Sequence, residues 1–338
     1  MLLLVSLAGC TLPPTNAALL DSVPSPDLPI TPHDVSIPAQ QVLTFVVDLP
    51  DGWSELRAVT FGCFEDDAPC LSPPTTLLAR QYSYSPPNAI EAHAWSPNGQ
   101  HVVITMPGSD DTTDIYLADV SHNRISGVRD ISGEDLVWEI GHSWTGDSAS
   151  ILATKASFSW GPTTWLLDTA GNPIQQLLAS AEQVHAQGVV ASHSTDLVAF
   201  TAPDQLDTKL YVSTLDGTSV AQLTDSGVVD GASSFSPDGK SIVYCWRSAH
   251  DEDVGQLIIL QMASPASRQV VMSSSLGCAS PAWSPDGKWI AFTTIQQTIS
   301  GIAIVSLDGT RLLRVDTGGG WAKGPQWKPN DPDDDPAP

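Results

Sequence analysis

A short unit, an aromatic residue followed by Ser-Pro-Asp/Asn-Gly, recurs along the chain and leaves few folds open to it. It stands complete at Trp95-Ser96-Pro97-Asn98-Gly99, Phe235-Ser236-Pro237-Asp238-Gly239 and Trp283-Ser284-Pro285-Asp286-Gly287. Degenerate copies are read at Trp144-Thr145-Gly146-Asp147, His193-Ser194-Thr195-Asp196 and Trp327-Lys328-Pro329-Asn330, so that neighbouring copies lie 42 to 49 residues apart. Such a period has room for four short strands and specifies sheets repeated about one axis. Each piece of the unit has a turn-forming role. Proline presets φ at the first corner, Asp or Asn bonds back to the backbone, and glycine supplies a positive φ.

Strand-length apolar runs follow each corner: 101–105, 150–153, 197–201, 241–245 and 289–293, rich in β-branched and aromatic residues. A second hairpin closes each unit, most clearly at Leu210–Gly217 and Ile302–Gly309, where a strand runs into an Asp-Gly turn. These elements predict an all-β chain, a six-bladed β-propeller of four-stranded antiparallel blades over residues 41–330. An open ring would leave strand edges unpaired. The runs at 42–47, 56–61 and 75–79 are therefore expected to join the segment at Gly324–Trp327, so that the last blade is closed by N- and C-terminal strands.

The ends of the chain read differently from its body. Met1–Gly9 is apolar, carries no basic residue and ends in Leu7-Ala8-Gly9 before Cys10. The string resembles the lipobox of bacterial lipoproteins, which implies a signal peptide and lipobox over 1–10, lipidation at Cys10 and a cell-envelope protein facing periplasm or exterior. Residues 11–40 hold Pro13, Pro14, Pro24, Pro26, Pro29, Pro32 and Pro38 and read as a proline-rich tether. Residues 331–338 read as a disordered acidic tail. The formal charge of −24 repels phosphate backbones and anionic headgroups, so nucleic acid is not an expected partner and the membrane is reached only through the lipid anchor. Beyond Cys10, the chain has Cys63, Cys70, Cys245 and Cys278, an even number for an exported protein. Cys63 with Cys70, and Cys245 with Cys278, are candidate disulfides; free buried thiols are the alternative.

The string Trp283-Ser-Pro-Asp-Gly-Lys-Trp-Ile-Ala-Phe292 resembles the TolB-type propeller repeat, also called the WD40-like or PD40 repeat, and the resemblance covers most of 42–330. It is specific for fold. Propellers with this repeat serve as docking platforms, substrate gates or sugar-active modules, so it does not choose a task.

Chemistry is sparse. No Gly-x-Ser-x-Gly elbow occurs, and Ser143, Ser233 and Ser234 read as inner-strand residues. His93 and His142 each precede a repeat aromatic by two residues, so alternation places them at equivalent positions of adjacent inner strands, with Glu91 or Glu139 near the rim. They are the candidate metal ligands. The acidic loops at 65–67, 109–114 and 250–253 offer oxygen ligands of the kind calcium accepts, without the twelve-residue calcium-loop pattern. Trp53, Trp138, Trp160, Trp165, Trp246 and Trp321 fall outside the repeat and suit either inter-blade packing or docking at a rim. The expectation is a monomeric, non-catalytic lipoprotein scaffold that binds a protein or peptide partner and needs no cofactor. The alternative is a carbohydrate-active or metal-dependent propeller enzyme using His93 and His142.

Overall fold

The computed structural model describes residues 30–32, 41–65, 68–81, 90–107, 112–121, 124–132, 138–156, 162–178, 186–204, 207–248, 251–274, 277–296 and 299–329. Cys10, most of the tether and the acidic tail lie outside them. Among the described residues every regular element is a strand.

Three four-stranded antiparallel sheets repeat one pattern. The second sheet runs Ala92–Trp95, His101–Pro107, Thr113–Ser121, Arg124–Asp130. The third runs Trp138–Trp144, Ser150–Ala156, Thr163–Asp168, Pro173–Leu177, and the fifth Gly277–Trp283, Trp289–Gln296, Ile299–Ser306, Leu312–Arg314. The first, closing sheet has six strands. Its order is Ile30–Pro32, Thr75–Gln81, Trp53–Glu65, Gln41–Asp48, Trp321–Lys328, with Ala68–Leu71 paired to Trp53–Glu65. Antiparallel register joins Val42 to Lys328 and Asp48 to Trp321, so segments near both ends of the described chain share one sheet.

The expectation of six four-stranded blades is overturned: four sheets stand as separate blades, not six. Residues 187–274, which the spacing divides into two units, form one nine-stranded sheet. The cause is local. Val228–Val229 pairs antiparallel with Trp246 and Arg247 and, through Val228, parallel with Thr208, which ties Asp207–Thr214 to Ser241–Ser248. Gly227, at φ 83°, lets the chain pass close beneath the Trp246 indole, and Gly231 at φ 75° turns it away again. What remains of the inner strand before the Phe235 turn is the two-residue pair Ser234–Phe235.

The apolar core is spread along the seams between facing layers. Alternation sends Val102 and Ile104 toward Val46, Leu56 and Leu78 of the closing sheet, and Val103 toward Trp144, Ile151 and Leu167 of the third. Within the nine-stranded sheet, Ala199 and Leu210 pack on Ile242 and Tyr244, and Val243 and Leu257 pack on Ile290 and Phe292 of the fifth. Leu43, Phe45 and Phe61 meet Ala282, Trp289 and Ile304 across the last seam. Because each layer buries both faces, no layer has a core of its own.

The repeat turns work through one hydroxyl and one carboxamide or carboxylate. Ser96 Oγ donates to Asn98 Oδ1 (2.7 Å) and accepts from His101 N (2.9 Å), while Gly99 sits at φ 72°. Thr145 with Asp147 (2.6 Å), Ser236 with Asp238 (2.7 Å) and Ser284 with Asp286 (2.7 Å) repeat it. The proline is replaced in the third sheet by Gly146, where a Cβ would collide with the His193 carbonyl.

Candidate functional site

One residue on the second strand of a layer reaches the inner strand of the next. Thr44 Oγ1 meets His93 Nε2 at 2.7 Å, and Thr105 Oγ1 meets His142 Nδ1 at 2.7 Å. Thr293 Oγ1 accepts from Gly324 N at 3.1 Å. Where Cys245 takes this place, the link is a disulfide to Cys278, with Cα atoms 5.6 Å apart. The backbone register sets Cys63 opposite Cys70; the Cys63 side chain lies outside the described residues.

A second link lies one residue before each repeat aromatic. Where that residue is Ser143 or Ser234, its Oγ accepts the next unit's backbone N–H, from Ala191 (3.1 Å) or Trp283 (3.1 Å). Where it is Ala94 or Ala282, the next indole donates to its carbonyl instead, Trp144 Nε1 (3.1 Å) and Trp327 Nε1 (3.1 Å). Ser143 and Ser234 are thus seam residues. The degenerate copy read at His193 shifts by two: Ser192 N bonds Leu197 O as Ser96 N bonds His101 O, so Ala191 occupies the aromatic position and His193 that of the proline.

His93 and His142 are therefore placed at two successive seams, on neighbouring inner strands. Thr44 fixes the tautomer of His93. Its hydroxyl accepts from Trp95 Nε1 (2.8 Å) and has one proton, directed at Gln326 O (3.0 Å), so Nε2 of His93 donates and Nδ1 carries the lone pair. That Nδ1, and Nε2 of His142, are buried and have no hydrogen-bond partner among the described residues. Burial, then the nearby His142 ring, pushes the His93 imidazole down to about 3; burial likewise holds His142 at about 4. Both rings are neutral at pH 7. Glu91, two residues before His93, is raised by burial against the pull of Lys323, which itself pairs with Asp48 at 2.8 Å.

The turn ends of the inner strands converge on an axial pocket of about 330 Å³. Its rim carries Pro97, His193, Pro237, Pro285 and Pro329; its walls carry Ser233, Phe235, Ser280, Pro281, Trp283, Gln326 and Trp327. No Asp, Glu, Lys or Arg is among the described residues that line it. Ser233 is 3% exposed, and its Oγ has no partner among the described residues; neither has the buried Nε1 of Trp283. Sequence reasoning classed Ser233 with the strand residues, and the structure places it in the pocket wall.

The remaining candidates scatter. Trp165 and Trp246 pack into seam cores, their indoles bonded to Thr163 Oγ1 (3.1 Å) and Ser226 O (2.7 Å), Trp53 is half-buried, and Trp321 is 44% exposed. Trp160 and the side chains of Trp138 and Glu139 lie outside the described residues, as do most of the acidic loops. Among the described residues no three His, Cys, Asp or Glu side chains form a metal-binding group, and no helix is long and apolar enough to cross a membrane.

No family model matches the chain. A protein TolB homolog of Chlorobaculum tepidum is 28% identical over 123 residues, which are 36% of this chain and 27% of the relative, so the match spans about a quarter of that protein. The crystal structure of TolB from Acinetobacter baumannii superposes with a TM-score of 0.66 at 18% identity, over 86% of this chain and 67% of that one. The nidogen/laminin complex gives 0.61 at 16% (85% and 98%), and a putative TolB from Agrobacterium tumefaciens 0.56 at 15% (81% and 88%). The chain has a β-propeller fold similar to that of TolB.

Proposed function

We propose that this chain is a non-catalytic scaffold of the bacterial cell envelope, anchored through a lipid on Cys10, which receives a segment of a protein or peptide partner in its axial pocket. The observation that carries this reading is the axial pocket itself, walled by proline and aromatic residues and without Asp, Glu, Lys or Arg among the described residues that line it. Proline and aromatic walls of this size suit one large apolar side chain and its flanking backbone. The TolB homologues support an envelope location, and the nidogen/laminin structure is by its name a complex of proteins.

The test is a photo-crosslinking residue placed at Gln326 in the pocket, with Gln175 on an exposed outer strand as the control, in intact envelopes. A discrete adduct from position 326 and none from 175 is expected; equal labelling overturns the pocket as the docking site. The anchor is tested by Cys10→Ser, which should move the chain from the membrane to the soluble fraction.

A further inference from the structure

We propose that His93 and His142 together form a two-imidazole site for a divalent cation of the zinc class, buried where the closing, second and third sheets meet. Three observations lead there. Each ring has one nitrogen tied to a threonine hydroxyl, His93 Nε2 to Thr44 and His142 Nδ1 to Thr105, both at 2.7 Å. This is how a histidine ligand is oriented, one nitrogen held by a neighbouring group so that the other faces the metal. The other nitrogens, His93 Nδ1 and His142 Nε2, are buried and bare among the described residues. For His93 the hydrogen bonds of Thr44 require that the bare nitrogen be the one with the lone pair.

The strands that carry the two rings are also neighbours. Trp144, two residues after His142, donates its indole to the carbonyl of Ala94, the residue after His93, which ties the two inner strands together at 3.1 Å. Imidazole nitrogen suits zinc and its first-row neighbours and not calcium, which takes oxygen donors. With two protein nitrogens in the described structure, water or another exogenous donor completes the coordination, and a net charge of −24 favours cation entry.

The experiment uses the full chain, stripped of metal and titrated with zinc chloride by calorimetry. One saturable equivalent is expected, with affinity reduced at least tenfold in His93→Gln/His142→Gln and unchanged in His193→Gln. Absence of a saturable equivalent, or equal binding by the double variant, overturns the proposal. Should the double variant fail to fold, nitrogen-15 shifts of the histidine rings in the unmodified chain decide. Zinc must move Nδ1 of His93 and Nε2 of His142; shifts confined to other histidines overturn the site.

Discussion

Thr44 shows how much one hydroxyl holds in this molecule. It is fully buried, accepts from the Trp95 indole and from His93, and donates to the Gln326 carbonyl, so two strands of the closing sheet and the inner strand of the second depend on it. Thr44→Val keeps the shape and strands two buried N–H groups. Leaving such groups unmated costs roughly 1–3 kcal/mol each, and we expect a loss of about 3 kcal/mol by chemical denaturation, with Thr44→Ser losing about a third of that. Carboxylates in the outer turns give a pH-dependent counterpart. Asp308 accepts from Ser306 Oγ (2.5 Å), Thr310 N (3.0 Å) and Thr310 Oγ1 (2.8 Å), which lowers its carboxyl to about 2. The folded value lies below the unfolded one, so the unfolded chain binds the proton more readily. The turn's contribution is full above the unfolded carboxylate value near 3.9 and disappears as pH falls through about 2. NMR titration of the Asp308 carboxyl should find its midpoint near 2, and Asp308→Asn should remove that part of the acid sensitivity. The turn residues were legible in the sequence because their partners lie two to five positions away. The seam bonds were not, since Thr44 and His93 are 49 residues apart and nothing local marks Thr44.

At the scale of elements, the strands were legible wherever β-branched runs sat between turn signals, and the boundaries failed where the repeat was degenerate. His193 looked like the repeat's aromatic because Ala191 left that place without a large ring. The merging of two units into one nine-stranded sheet was hidden for a similar reason. Gly227-Val228-Val229-Asp230-Gly231 has a glycine at each end and only two apolar residues between, yet those two pair with Trp246 and Arg247 and one of them with Thr208. The merger depends on Gly227. Its φ of 83° disfavours any side chain, and a Cβ would enter the Trp246 indole. Gly227→Ala should cost more than about 1 kcal/mol, because both strain and a clash are introduced. Hydrogen exchange should rise at Val229 and Arg247 and stay unchanged in the second sheet. Protection at those two amides equal to the parent's would show that the short strand does not depend on this glycine.

For the whole molecule, the decisive feature is that the layers stabilise one another in sequence around the axis, so a defect at one seam is felt by two neighbours. The seam between the fifth and closing sheets tests this best, for the closing sheet itself joins segments near opposite ends of the described chain through the pairing of Gln41–Asp48 with Trp321–Lys328. Trp327 is its centre. It is 6% exposed, packs edge-on against Phe61 with ring centroids 5.6 Å apart, and donates to the Ala282 carbonyl at 3.1 Å. Trp327→Ala removes a buried ring and strands that carbonyl, a change worth about 3–5 kcal/mol. If the layers form one cooperative unit, the whole transition moves: tryptophan fluorescence and far-ultraviolet circular dichroism should shift together to lower denaturant with an unchanged slope. The Cys245–Cys278 link provides the comparison. It closes a sequence separation of 33, for which loop entropy predicts a loss of about 3–4 kcal/mol on replacement by serine. Two successive seams of similar worth, one on each side of the fifth sheet, should then lower the same single transition by similar amounts. A variant in which fluorescence and dichroism separate, with one part melting early and the rest at the parent's midpoint, would show that the ring is a set of independent halves.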